Sequence, residues 1–216
     1  MIWRGKYTII RCVKFNAGGV SVNKDDVTRV FRNIPVLETE HLILRRMDKK
    51  DADDMYDYAR RSDTTQYLLW NPHPDRKFSY QYLVYLNHQY KVGEFHDWAV
   101  VEKASGKMIG TCGFTRFDYS NDSAEIGYVL NPDFWGRGYA TEAVHRVIRF
   151  GFDYFGLHRI EAKYMVGNDA SRRVMEKCGM TFEGVHRDSI LVKGGFVSVG
   201  VCAILRSDYN QKRIGL

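Results

Sequence analysis

The period of apolar and polar residues changes several times along the chain, and each change marks an element. From Glu38 to Met47, ETEHLILRRM alternates apolar and polar positions, the period of a half-buried strand. Asp48 then precedes KKDADDMYDYARR, whose acidic start and basic end suit the dipole of a helix. Asn71-Pro72-His73-Pro74 reads as a loop, and Phe78 to Val92 as a second helix, with Tyr82, Leu83, Leu86 and Tyr90 at helical spacing. Three strand-like runs follow, HDWAVVEK, KMIGTCGFTRF and SAEIGYVL, joined by Ser105-Gly106 and Ser120-Asn121-Asp122, so an antiparallel meander is predicted. ATEAVHRVIRFGFDYF returns to helical periodicity as far as Gly156, and RIEAKYMV is again a strand, which places a β-α-β crossover at the centre. Asn168 caps a short helix that ends at Cys178-Gly179, and MTFEGVHR and GFVSVGVCAIL are the last two strands.

Ahead of this pattern, KYTIIRCVKF and VSV flank Ala17-Gly18-Gly19 as a β-hairpin would, and Pro35 closes the segment. The expected organisation is an N-terminal extension over 1–35 and one catalytic-sized domain over 36–216. Pairing with a sheet edge, covering a cleft and forming a homodimer all stay open as roles for the extension.

Composition narrows the class. A chain of 216 residues with 44% hydrophobic and 27% charged content is an ordinary globular sequence, and no apolar run reaches the roughly 20 residues that span a bilayer. Lys and Arg interrupt the first apolar stretch, which argues against a secretory signal, so no membrane partner and a cytoplasmic location are expected. Cys12, Cys112, Cys178 and Cys202 are scattered without a CxxC pair or a His cluster, so reduced thiols and no metal are expected. The net charge of +6 is spread along the chain and forms no basic tract, so no direct nucleic-acid contact is expected.

The segment from Tyr128 to Thr141, YVLNPDFWGRGYAT, carries the candidate chemistry: a strand stops, a glycine-bearing turn follows and a helix begins. The first amides of a helix lack partners and carry the positive end of its dipole, so such a turn can cradle phosphate, and it can equally be a plain helix start. Gly136-x-Gly138-x-x-Thr141 approaches the dinucleotide pattern, with Glu161 about 20 residues later. The third glycine is missing, Glu161 falls at the start of its strand, and three strands precede the turn where a dinucleotide fold would begin with it.

LETEHLILRR, AEIGYVLNPDFWGRGYATEA and RIEAKYMVGNDASRRVMEKCGMTFEG together resemble the GCN5-related N-acetyltransferases (GNAT), and within them the ribosomal-protein N-terminal acetyltransferases of the RimJ/RimL type. The resemblance covers roughly Val36 to Tyr209. In the family motif Q/R-x-x-G-x-G/A, Trp135 stands at the first position here, with Gly138 and Ala140 on the later ones. The fold it implies is α/β: a mixed, mostly antiparallel twisted sheet, splayed near Leu130, with helices on both faces and one central β-α-β crossover. The implied cofactor is acetyl-CoA, its pantetheine beside Tyr128, Val129 and Leu130 and its pyrophosphate on the amides of Arg137, Gly138, Tyr139, Ala140 and Thr141. Arg137, Arg172 and Arg173 can add charge-assisted contacts to phosphates. The family's matching Asn and Ser are Asn168, a contact to the pantetheine arm, and Ser171, a proton donor to the departing thiolate; as residues alone they form a helix cap.

Acetyl transfer needs a neutral amine held against a carbonyl and a leaving thiolate. An α-amine of pKa about 8 is about one-tenth neutral at pH 7, a deficit near 1.4 kcal/mol, whereas a lysine-like amine carries about 4.6 kcal/mol. Glu125, on the strand along which the cofactor would run, is the candidate base, or equally a carboxylate braced by neighbouring arginines. Tyr67, Trp70, Tyr82 and Tyr85 are candidate walls for the acceptor, or else core. His145 and His158 read as surface and turn residues, and Cys178, without a local His, as structural. Three functional readings follow: an enzyme acting on a protein N-terminus of the ribosomal-protein type; an enzyme acting on a small amine such as a polyamine, an aminoglycoside or an amino acid; and a CoA-binding sensor without turnover.

Overall fold

The structure, a computed structural model, describes residues 21–214. The expected hairpin lies mostly outside the described residues, but Ser21 and Val22, its last two positions, are not strand. They are instead fastened to the turn before the fifth strand, where Asp122 Oδ1 accepts from the Ser21 hydroxyl (2.6 Å) and the Val22 amide (2.8 Å). A helix that the periodicity did not reveal follows, α1 (Lys24–Arg32). Asn23 caps it by accepting from the Asp26 amide at 2.8 Å, Asp25 and Asp26 sit in its first turn, and Arg29 and Arg32 in its last. Val27 and Phe31 are fully buried, so this part of the extension shares the core of the domain.

The remaining order is β1 (Leu37–Glu38), β2 (Leu42–Arg45), α2 (Ala52–Ala59), α3 (Ser62–Thr65), α4 (Arg76–Val92), β3 (His96–Glu102), β4 (Met108–Asp118), β5 (Ser123–Leu130), α5 (Tyr139–Phe150), β6 (Arg159–Met165), α6 (Asp169–Lys177), β7 (Thr181–Val192), β8 (Gly195–Leu205) and α7 (Arg206–Ile214). Among the described residues the eight strands form one sheet in the order β1-β2-β3-β4-β5-β6-β8-β7, and β5 with β6 is the one parallel pair. The mixed, mostly antiparallel sheet and its crossover through α5 are those the sequence implied. Helix α7 was not expected; its Tyr209 hydroxyl meets Asp153 Oδ1 at 3.0 Å and Arg206 donates to the Leu157 and Phe152 carbonyls at 2.8 Å, which closes the end of the crossover.

Alternation along the strands sorts the two faces. Trp98, Cys112 and Tyr128 lie in one row across β3, β4 and β5, with α1 and α5 against them: Phe31 meets Trp98 edge-on at 5.2 Å, and Phe150 does so at 5.6 Å. The neighbouring row, Asp97, Gly113 and Gly127, belongs to the opposite face, beneath α2 and α4. Helix α4 begins at Asp75, which caps the Phe78 amide at 2.7 Å, and ends at Gly93 with φ 77°. A Cβ on Gly93 would stand 2.5 Å from the Thr28 carbonyl oxygen, so the close approach of α1 to the end of α4 demands glycine there.

The sheet opens where the site lies. Strands β5 and β6 pair only from Ser123 with Arg159 to Ile126 with Ala162. Gly127–Leu130 and Lys163–Met165 continue past that point without pairing to each other, so the splay begins nearer Ile126 than Leu130. An opened parallel pair leaves backbone donors and acceptors that a ligand can take up in place of a strand.

Candidate active site

A cleft of about 580 Å³ opens over this splay, walled by the end of β5, the first turns of α5 and α6, and the segment around α3. Of the residues singled out in the sequence, Tyr67, Tyr128, Val129, Leu130, Gly138, Tyr139, Ala140, Thr141, Asn168 and Ser171 line it. The start of α5 has no side-chain cap; its N-cap is Gly138, with φ 84°, and the first described intrahelical bond there runs from the Glu142 amide to the Gly138 carbonyl at 3.0 Å. The amides of Tyr139, Ala140 and Thr141 are therefore the uncompensated donors of the helix, at the positive end of its dipole and facing the cleft. A Cβ on Gly138 would meet nothing within 4 Å, so the positive φ and not crowding selects glycine.

Trp135 fixes the turn that presents those amides. Its indole nitrogen donates to the Leu130 carbonyl at 2.8 Å, and Asn131, buried at the strand end, caps the Asp133 amide at 3.1 Å. The aromatic residue at the first motif position thus has a structural duty, and it occupies one of the lone pairs that the resemblance had assigned to pantetheine at Leu130. Arg137, by contrast, does not line the cleft: it donates to the Asp133 carbonyl at 3.1 Å, approaches Glu102 at 3.7 Å and covers the Phe134 ring. Its amide stays in the turn while its guanidinium is used locally. Arg172 is likewise engaged, by Glu176 at 2.8 Å and over Phe182, so Arg173 and Lys177, which line the cleft, are the cations on the α6 wall.

At the start of α6, Asn168 Oδ1 accepts from the Ser171 amide at 3.1 Å, which leaves its amide nitrogen for another acceptor. The Ser171 hydroxyl meets the Tyr128 hydroxyl at 2.8 Å, and the same phenol oxygen is 2.9 Å from the Ser171 carbonyl. Tyr67 faces this wall, its hydroxyl 3.5 Å from where a Gly167 Cβ would stand, and Gly167 has φ 100°.

Glu125 is placed differently. It lies on the face of the sheet shared by Gly127 and Asp97, outside the lining of the cleft, with Oε2 2.6 Å from Lys163 Nζ. Lys163 also meets Glu161 at 3.3 Å, Glu161 meets Arg159 at 3.2 Å, and Arg159 holds Glu183 at 2.6 Å, so each of these carboxylates has a cation. Trp70, Tyr82 and Tyr85 are not brought to the cleft either. Helix α4 buries Ser79, Leu83, Leu86 and Tyr90, and this register turns Tyr85 outward and leaves Tyr82 partly covered at the edge of the floor, the two stacked at 6.4 Å, with Tyr82 beside His73 and His73 beside Trp70.

Asp97 was missed, since nothing in HDWAVVEK sets it apart. Its carboxylate accepts from the Trp98 amide at 2.9 Å, and the Tyr90 hydroxyl donates to its carbonyl at 2.6 Å. Burial beneath α2 and α4, near Tyr58 and Tyr82, pushes its pKa up to about 7, against the opposing hydrogen bonds from Thr111 and the Trp98 amide. Cys112 and Cys178 are free, and burial pushes the Cys178 thiol up to about 12, which suits a packing residue and not a nucleophile.

Comparison with known proteins places this geometry. Residues 41–181 match the acetyltransferase (GNAT) domain. An uncharacterized N-acetyltransferase of Bacillus licheniformis, p20, is 34% identical over 80% of this chain and 97% of its own length. A putative ribosomal N-acetyltransferase of Bacillus subtilis, YdaF, is 24% identical over 81% of this chain and 96% of its own. The spermidine N(1)-acetyltransferase of Vibrio cholerae is 26% identical over 79% and 96%. With its uncapped α5 amides set over an opened β5–β6 pair, the chain belongs to the GNAT acetyltransferase family and is an acetyl-CoA-dependent N-acetyltransferase.

Proposed function

We propose that the acceptor is the N-terminal α-amine of a protein, of the ribosomal-protein type, and that acetyl passes to it by direct attack with no covalent enzyme intermediate. The observation that carries this reading is the pairing of Glu125 with Lys163 at 2.6 Å within a run of matched charges. On this face Glu125, Glu161 and Glu183 each have a cation, which offsets the negative charge they would offer a polyamine. An α-amine needs only about 1.4 kcal/mol of help to lose its proton at pH 7, so a paired carboxylate acting directly or through one water is enough. Likeness to YdaF and the net charge of +6, favourable toward an acidic partner surface, agree with it.

In this mechanism acetyl-CoA supplies the thioester. The amides of Gly138, Tyr139, Ala140 and Thr141 hold its pyrophosphate, Arg173 and Lys177 add charge, and Asn168 Nδ2 and the Val129 backbone orient the arm. Glu125, outside the lining of the cleft, takes the ammonium proton through water, and Ser171 faces the leaving sulfur. A second reading, a small-amine acceptor, is favoured by the likeness to the spermidine enzyme and by Asp97, whose partners include no cation among the described groups. Matched peptides, one with a free N-terminus and no lysine and one with a blocked N-terminus and an internal lysine, are assayed beside spermidine. Acetylation of the first peptide is expected; turnover of spermidine with neither peptide acetylated would transfer the assignment to the second reading.

A further inference from the structure

We propose that the Tyr128 hydroxyl is the positioning group that aims the Ser171 hydroxyl at the leaving sulfur, through a reversal of their mutual hydrogen bond. The inference rests on the reading of Ser171 as the group that faces the thiolate. Both residues line the cleft, and both contacts of the phenol oxygen go to Ser171: its hydroxyl at 2.8 Å and its carbonyl at 2.9 Å.

A phenol has one proton to give, a carbonyl can only accept, and a serine hydroxyl can do either. Two arrangements therefore fit the same heavy atoms, and the second gives up the bond to the carbonyl. In one, Tyr128 donates to the carbonyl and Ser171 donates to Tyr128, so every proton is spent inside the pair and none points into the cleft. In the other, Tyr128 donates to Ser171 Oγ, and the serine proton is released toward the cleft and polarised by the donor behind it. The first is complete by itself and needs no ligand. The second needs an acceptor in the cleft, which the departing sulfur becomes as its charge develops. Two hydroxyl rotations interconvert them without moving a heavy atom.

The atoms balance without a net transfer between the hydroxyls. The amine nitrogen bonds to the acetyl carbon, the C–S bond breaks with its electron pair on sulfur, and the ammonium proton passes to a base or to water. The thiolate accepts the Ser171 hydrogen bond and is released to solvent, while Ser171 and Tyr128 keep their protons. Burial holds the Tyr128 phenol well above its ordinary range, so it stays a donor. The titratable groups facing it are thiols, Cys112 of β4, Cys178 after α6 and Cys202 of β8, all of them raised by burial and hence uncharged near neutrality.

The test is a titration of the thiol of CoA bound to the full-length enzyme, read from its ultraviolet thiolate absorbance after subtraction of the free-enzyme curve. It is run on wild type, Ser171→Ala, Tyr128→Phe and the double variant at saturating CoA. The expected result is a bound thiolate fraction near pH 8 that drops about threefold or more in each single variant and no further in the double, because one hydrogen bond has been removed in each case. In parallel, Tyr128→Phe lowers kcat about tenfold while KM for acetyl-CoA stays within about twofold. A drop in Ser171→Ala with none in Tyr128→Phe overturns the role of Tyr128 and leaves Ser171 in place. No drop in either variant removes Ser171 from the sulfur and the inference with it. A Tyr128→Phe enzyme with intact kcat and a raised KM or a lowered melting temperature makes the tyrosine a strut for α6, which also overturns the inference.

Discussion

The two sides of the opened sheet are built on opposite principles. On the α5–α6 wall the working groups are backbone amides whose direction is set by local geometry: Gly138 at positive φ, Trp135 holding the Leu130 carbonyl and Asn168 capping α6. On the opposite face of the sheet, the floor, the groups are side chains whose state is set by partners on the neighbouring strand, such as Glu125 with Lys163 and Asp97 with Thr111. The wall is ready before a ligand arrives, because a helix N-terminus cannot be turned off. The floor is conditional: change one charge and its neighbours rebalance. That contrast suits a cofactor that is always the same and an acceptor that differs among relatives.

The largest effect that breaks the comparison comes from the wall. Ala140→Asp puts a carboxylate in the first turn of α5, where it favours the helix dipole and opposes phosphate. Acetyl-CoA affinity measured by calorimetry is expected to fall about 100-fold, with a melting temperature equal to wild type or higher. Unchanged affinity in a folded variant would show that the phosphates sit elsewhere.

The next effect lies on the floor. Glu125→Gln keeps the shape beside Lys163 and removes the base, and at pH 7 kcat on an α-amine peptide is expected to fall about tenfold, with a larger loss on a lysine-like acceptor. Activity recovers toward high pH, where solvent supplies the neutral amine. A loss that stays flat with pH would make Glu125 a brace for Lys163 and nothing more.

The last effect is on stability, not on binding or rate, and concerns Asp97. Its carboxyl holds a proton more tightly folded than unfolded, with a pKa of about 7 against an ordinary value of 3.8. The folded state therefore binds more protons between those values, and stability falls as pH rises through that window, by an amount on the order of a few kcal/mol. Asp97→Asn is expected to flatten that part of a denaturation series measured from pH 4.5 to pH 8. An unchanged slope would place the titration on other groups.

The same contrast explains what could be read from the sequence. YVLNPDFWGRGYAT and NDASRR are contiguous, and their glycines, cap residues and periodicity carry the conformation within a few residues, so the wall was legible. The bond of Asp97 with Thr111 and the pair of Glu125 with Lys163 depend on which strands lie side by side, and those partners are many positions away in the sequence. Trp70, Tyr82 and Tyr85 failed to reach the cleft for a related reason: aromatic content indicates burial or contact, but the register of α4 against the sheet decides which side. Helix α1 was hidden because KDDVTRVFR has only three apolar positions and no long run, and its burial comes from the aromatic cluster around Trp98 and Phe155. Helix α7, polar along much of RSDYNQKRI, lacks a strong apolar stripe, and its start is tied by Arg206 to carbonyls about 50 residues earlier.

The central claim is that the cofactor is held by the α5–α6 wall and not by the floor, and hydrogen exchange of the full-length protein with and without acetyl-CoA tests it directly. The amides of Tyr139 to Thr141 at the uncapped start of α5 are expected to slow on binding, because a bound ligand closes donors that were open to water, while those of Arg159 to Ala162, already paired on both sides in the sheet, stay as they were. Slowing confined to the floor, or binding with no change at Tyr139 to Thr141, would contradict the account.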